Sequence, residues 1–127
     1  MCGITGIYAF NQVGRFFMIN LASATKALES RGPDQQGTYL HEHVGLGHRR
    51  LSILDTSLDG KQPMSDDTGR YTIVFNGEIY NFKELRKGLE QKGVSFSSGT
   101  DTEVLLQLYI HEGKSFLQKL NGFFAFA

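Results

Sequence analysis

The alternation of apolar and polar positions changes period several times along this chain, and each change marks a predicted element. Ile4 to Phe10 is apolar and β-prone, which predicts a strand. Met18, Leu21, Ala22, Thr25 and Leu28 recur at helical spacing, so a helix is expected from about Phe17 to Glu29. Arg31-Gly32-Pro33-Asp34 breaks it. Short strand-like segments follow at Gly37–His41, Val44–Gly47 and Arg50–Leu54, and the polar stretch from Asp55 to Gly69 reads as a long loop. Tyr71 to Phe75 is β-branched and aromatic, another strand.

Phe82, Leu85 and Leu89 mark a second helix, closed by Lys92-Gly93. Thr100-Asp101-Thr102-Glu103 is a capping-box pattern that starts a third helix before Val104, Leu105 and Leu108. A short helical piece near Phe116–Leu120 precedes the apolar run Phe123 to Ala127. Strands grouped before and after helices favour hairpins over βαβ crossovers, hence an α+β fold with largely antiparallel sheets. An apolar run is an unusual place for a soluble chain to stop, so the sequence is expected to be a fragment truncated at its C-terminus.

Composition narrows the function classes. The chain has 127 residues, a single-domain length, with 40% hydrophobic and 20% charged residues. Lys plus Arg and Asp plus Glu are 13 each, which supplies no general field for nucleic acid or acidic lipid. No apolar run is as long as a membrane span, and no basic-then-apolar leader opens the sequence. The single cysteine forms no internal disulfide, which suits a reducing compartment; a cytoplasmic location is expected, with no nucleic-acid or membrane partner.

That cysteine is at position 2, before Gly3. After removal of Met1 it carries a thiol and a free α-amine on one residue. The amine titrates near ~8 and can act as general base to the thiol without a histidine. A lone cysteine is otherwise a small buried apolar residue, and position alone does not decide between the two. Asn76-Gly77 is a strong hairpin signal, yet the residues after it run almost at once into a helix. A strand ending there would instead present an amide side chain and an exposed N–H, the two donors a tetrahedral oxyanion needs. Arg50 opens a β-like segment beside Arg49 and by itself reads as a solvated charge. Asp101 by itself reads as a first-turn carboxylate favoured by the helix dipole. His41, His43 and His48 are near one another in sequence, but with no Cys or acidic cluster to complete a metal site.

Taken together the segments resemble a known family. Met1-Cys2-Gly3-Ile4-Thr5-Gly6-Ile7, Arg31-Gly32-Pro33-Asp34-x-x-Gly37, Gly47-His48-Arg49-Arg50-Leu51-Ser52-Ile53 and Phe75-Asn76-Gly77-Glu78-Ile79-Tyr80-Asn81 occur in the order and rough spacing of class II glutamine amidotransferases. Gly99 to Glu103 and Leu120 to Ala127 extend the likeness to the end of the chain. The residues after Gly47-His48 and around Asn76-Gly77 look like the asparagine synthetase branch.

The resemblance implies a four-layer αββα N-terminal-nucleophile hydrolase fold, incomplete here, and hydrolysis of glutamine to glutamate and ammonia. Cys2 would be the nucleophile and its α-amine the base, with the Asn76 side chain and the Gly77 N–H as oxyanion hole. Arg50 would hold the glutamine α-carboxylate; Asp101 and Glu78 would face its ammonium. Leu51, Ser52, Ile53 and Leu54 would line the pocket, and Arg31 and Asp34 would brace the turn beside Cys2. The family's C-terminal synthetase domain, which binds ATP and magnesium and amidates aspartate, would be the partner that receives ammonia. This segment itself calls for no cofactor or metal. A homodimer is compatible with the sequence but not specified by it. A synthetase-like enzyme with another acceptor, and a non-catalytic binding module, are the rival readings.

Overall fold

The structure, a computed structural model, describes residues 2–52 and 60–127. Strand β1 (Gly3–Tyr8) pairs antiparallel with β3 (Val44–Arg50), and β3 pairs on its other side with β2 (Gln35–His41). The central strand therefore runs unbroken through residues that sequence pattern divides between two strands, and Arg50 closes it rather than opening the next. Pairing explains this, since β2 faces every residue from Val44 to Arg50 and β1 faces those from Val44 to Arg49.

The first helical region also differs from expectation. It begins earlier and is divided: α1 (Gln12–Phe17), a 3₁₀ turn (Met18–Asn20) and α2 (Leu21–Lys26). The Asn11 side chain accepts a hydrogen bond from the Gly14 N–H at 2.9 Å and so caps α1. After Lys26 the chain tightens into i→i+3 bonds, Leu28 N–H to Thr25 and Glu29 N–H to Lys26, which stop the helix before Glu29. Helix α2 lies on the β1-β3-β2 sheet with Leu21 and Thr25 buried. It can approach closely because a side chain at Gly47 would collide with the Thr25 and Thr5 hydroxyls, which are 3.0 Å apart.

Within the segment expected to be loop, β4 (Met64–Ser65) pairs with β5 (Thr72–Ile73). Asp66 holds their turn through the Tyr71 N–H at 2.8 Å. The chain then enters β6 (Phe75–Ile79), which pairs antiparallel with β7 (Gly122–Phe126). Asn76-Gly77 therefore lies inside a strand, opposite Ala125 and Phe124, and is neither a hairpin turn nor a strand end. The strand that captures it comes from the end of the chain, so local turn chemistry gives way to a non-local pairing.

Helices α3 (Phe82–Glu90) and α4 (Asp101–Glu112) match the apolar spacing, and Gly93 takes φ +88° just beyond the first of them. Thr100 caps α4 by accepting from the Glu103 N–H at 3.4 Å. The reciprocal half of the capping box is redirected, because Glu103 accepts from the N–H groups of Ser97 and Ser98 instead. Asn81 leaves its own helix uncapped and bonds the Lys119 carbonyl and the Asn121 N–H, joining α3 to the start of β7.

The main core lies between α3–α4 and the strands β5, β6 and β7, where Ile79, Leu89, Val104, Leu105, Leu108 and Phe116 are almost fully buried. Each such side chain contributes about 1.5–3 kcal/mol by leaving water. The layer order is helix α2, sheet β1-β3-β2, the β6-β7 side, then α3 and α4: an α+β, αββα arrangement with antiparallel sheets. A polar contact crosses its middle, from His48 Nε2 on β3 to the Phe75 carbonyl on β6 at 3.1 Å.

Candidate active site

Strand register, rather than sequence proximity, assembles the cleft. Gly3 is opposite Arg49 and Gln35 is opposite Arg50, so the β1-β3-β2 sheet brings Cys2, Arg50 and Gln35 to one end. The Leu51 N–H donates to Cys2 Sγ at 3.4 Å, and the thiol faces the Leu51 carbonyl at 3.8 Å. Arg31 Nε donates to the Cys2 carbonyl at 3.2 Å. Asp34 accepts from the Ser52 N–H at 2.7 Å, while its own N–H donates to the Arg50 carbonyl. Arg31 and Asp34 thus brace the turn beside Cys2.

The adjacent arginines divide the work. Arg49 is structural: its guanidinium donates to the carbonyls of Gly32 and Pro33 and to Gln36, and pairs with Glu29 at 3.2 Å. Arg50 is buried, not a solvated charge; its Nη1 donates to Gln35 Oε1 at 3.1 Å and it lines the cleft. Gly60 gives it room, since a side chain there would meet the guanidinium.

The opposite wall is the edge of β6 turned away from β7. Val74 and Ala127 exchange both of their backbone bonds, and the Tyr80 N–H reaches the Asn121 carbonyl, which makes the even-numbered residues of β6 the hydrogen-bonded pairs. Phe75, Gly77 and Ile79 consequently direct their N–H groups away from β7. The Phe75 N–H is taken by Gln62 Oε1 at 2.6 Å and the Ile79 N–H by Asp101 Oδ2 at 3.2 Å. The Gly77 N–H lies between them on the same edge, beside the cleft. Gly77 must lack a side chain, because a Cβ would collide with the Phe123 carbonyl and lie 2.6 Å from the Phe124 Cα.

Asp101 is the first residue of α4. Burial pushes its carboxyl above the usual aspartate range, a rise reinforced by the nearby charge of Glu78 and opposed by the N–H groups of Ile79 and Thr102. The resulting cavity, about 190 Å³, is lined by Cys2, Arg50, Leu51, Asn76, Gly77, Glu78 and Asp101. A cation, carboxylates, a thiol and amide donors around one small cavity suit a zwitterionic amino acid with a reactive side chain.

Most sequence-predicted site residues therefore converge. Ser52 is not among the residues lining the cavity; its N–H donates to Asp34 in the neighbouring turn. Ile53 and Leu54 lie outside the described residues. The histidines part company: His41 ends β2 opposite Val44, whereas His48 is buried opposite Gly37. Gln62, Thr102, Phe82 and Phe123 also line the cavity and carried no sequence signal of a role, apart from a Gln-Pro step at Gln62.

The fold is that of a glutamine amidotransferase domain. It superposes with a TM-score of 0.74 on the glutamine phosphoribosylpyrophosphate amidotransferase from B. subtilis, over 99% of this chain and 34% of that one, at 21% identity. The sequence profile of the glutamine amidotransferase domain family matches residues 1–127, and the chain belongs to that family. It is 43% identical over 128 residues to a glutamine-hydrolysing asparagine synthetase of Bacillus subtilis, covering 99% of this chain and 20% of that protein. An amidase of Gibberella zeae, chry2, is 36% identical over 137 residues, again across 99% of this chain and 20% of the relative. The chain thus spans about a fifth of the length of these curated relatives. Among the described residues no helix is long and apolar enough to cross a membrane.

Proposed function

We propose that this cavity binds glutamine and hydrolyses its side-chain amide through a thioester on Cys2. The observation that carries the reading is the meeting of Cys2, Arg50, Asn76, Gly77 and Asp101 around one small cavity. With Met1 removed, the Cys2 α-amine takes the thiol proton and sulfur attacks the amide carbon. The oxyanion accepts hydrogen bonds from the Asn76 side chain and the Gly77 N–H. As the C–N bond breaks, the α-ammonium returns a proton and ammonia leaves. Water, deprotonated by the same amine, then attacks the thioester and glutamate departs with the sulfur restored as thiol. Arg50 clamps the substrate carboxylate, while Asp101 and Glu78 attract its ammonium. Leu51 contributes its main-chain N–H toward Cys2 Sγ. No step in this segment calls for a metal or cofactor.

Residues 1–127 are then part of the amidotransferase domain of a longer, cytoplasmic polypeptide. Its synthetase domain binds ATP and magnesium and uses the ammonia to convert aspartate to asparagine. The names of the bacterial and plant relatives support that acceptor. A second reading keeps the glutaminase and changes the acceptor, and the similarity to a fungal amidase favours keeping it open. The test assays the full-length protein and its Cys2→Ala variant for glutamate release, and for asparagine formation from free ammonia, aspartate and ATP. Loss of the first with retention of the second is expected. Glutamate release that survives Cys2→Ala refutes the thioester, and no asparagine from either protein refutes the aspartate acceptor.

A further inference from the structure

We propose that Gln62 is a positioning residue of this glutaminase reaction: its side-chain amide seals the edge of β6 beside the oxyanion donor and ties that edge to the start of α4. The proposal rests on the glutaminase reading above and concerns what keeps its oxyanion hole open and in place.

Among the described residues strand β6 pairs with β7 on one side only, so the outward N–H groups of Phe75, Gly77 and Ile79 form an edge that no described strand covers. A further strand would satisfy such an edge, but it would also occupy the Gly77 N–H and leave no donor for an oxyanion. Side chains meet the requirement differently, one backbone group at a time. Gln62 Oε1 takes the Phe75 N–H at 2.6 Å, and Asp101 takes the Ile79 N–H on the far side. The Gly77 N–H lies between them, and among the described residues no side chain occupies it. The Phe75 carbonyl is held as well, by His48 Nε2 at 3.1 Å, so both polar groups of the residue preceding Asn76 are fixed by buried side chains.

Gln62 is itself tightly seated. It is 7% exposed, and its Nε2 donates to Thr102 Oγ1 at 3.1 Å. Thr102 follows Asp101, so one amide links the strand that carries Asn76 and Gly77 to the helix start that carries the ammonium-binding carboxylate. Its backbone carbonyl packs against Gly37, where a Cβ would collide with it. A glutamine so fixed has two oriented functions, acceptor toward the strand and donor toward the helix, and an apolar residue of equal size would supply neither.

The test is steady-state glutaminase kinetics with thermal melting on the full-length protein, its Gln62→Leu and Thr102→Val variants, and Cys2→Ala as control. Misplaced oxyanion donors affect the transition state more than the bound ground state. Gln62→Leu should therefore lower kcat about 10- to 100-fold while KM for glutamine changes less than about threefold, at a temperature where melting shows the protein fully folded. A lowered Tm with kcat within about twofold of wild type would reduce Gln62 to a stabilising residue and overturn the proposal. Should Gln62→Leu not fold, Thr102→Val carries the test, since it removes only the hydroxyl that anchors Nε2. A kcat loss of roughly three- to tenfold supports positioning, and an unchanged kcat overturns it. Activity persisting in Cys2→Ala would instead bring down the glutaminase reading itself.

Discussion

Asp101 Oδ2 accepts the Ile79 backbone N–H at 3.2 Å, and this contact fastens the first turn of α4 to the end of β6. The carboxylate thereby caps a strand edge while still lining the cavity. Its burial raises its affinity for a proton, the reverse of the usual fate of a hydrogen-bonded aspartate, because loss of water outweighs the N–H bonds it receives.

On the proposed function, the pH dependence of glutamine binding follows from that shift. Only the ionised carboxylate attracts the substrate ammonium, and with a raised pKa it is lost at higher pH than an exposed aspartate would be. KM should rise on acidification starting above the ordinary range near ~4. Asp101→Asn should raise KM about 10- to 100-fold, the worth of one hydrogen bond to a charged group, and lessen the acid rise, since Glu78 remains. KM–pH profiles of the two proteins that run parallel would remove Asp101 from the ammonium site.

If the proposed mechanism holds, Asn76 and Arg50 should fail in opposite ways. Asn76→Ala removes an oxyanion donor and should cost about 10²–10³ in kcat, with KM less affected. Arg50→Ala removes a clamp on the substrate carboxylate and should act chiefly on KM. Measuring both constants for both variants checks the assignment, and the inverse pattern would exchange the roles.

The α-amine of Cys2 has its own test. An amide nitrogen has no lone pair for a proton, so protein that retains Met1 should be silent whatever surrounds the thiol. Intact-mass spectrometry and glutaminase assays on preparations trimmed to different degrees should show activity proportional to the trimmed fraction. Full activity in wholly untrimmed protein would eliminate the amine as base.

His48 makes stability fall in mild acid. Burial is the main cause that lowers its pKa from 6.5 to about 4, with Arg50 adding to the drop and the Phe75 carbonyl opposing it. The unfolded chain therefore binds a proton that the folded chain refuses. The neutral imidazole's contribution is complete above the unfolded pKa of 6.5 and is lost as pH falls toward 4, by roughly 3 kcal/mol in all. Denaturant midpoints measured from pH 7 to pH 4 should decline more steeply in wild type than in His48→Gln, and equal slopes would contradict the shift.

Sequence alone determined the elements whose signals are local. The apolar spacing of α3 and α4, the Thr100 cap and the Lys92-Gly93 stop depend on neighbours within a few residues, and the helices stand where that pattern puts them. The ordered motifs around Cys2, Arg50, Asn76 and Asp101 likewise named the residues that meet in the cavity. What sequence misassigned depended on partners distant along the chain. Asn76-Gly77 reads as a turn or a strand end until β7 pairs with it, and Val44 to Arg50 reads as parts of two strands until β1 and β2 flank β3. Gln62 gave no local signal because its partners, the Phe75 N–H and the Thr102 hydroxyl, are 13 and 40 residues away. The chemistry of a side chain is written in its own residue, whereas which backbone groups lie open for it to seal is decided only when the sheets close.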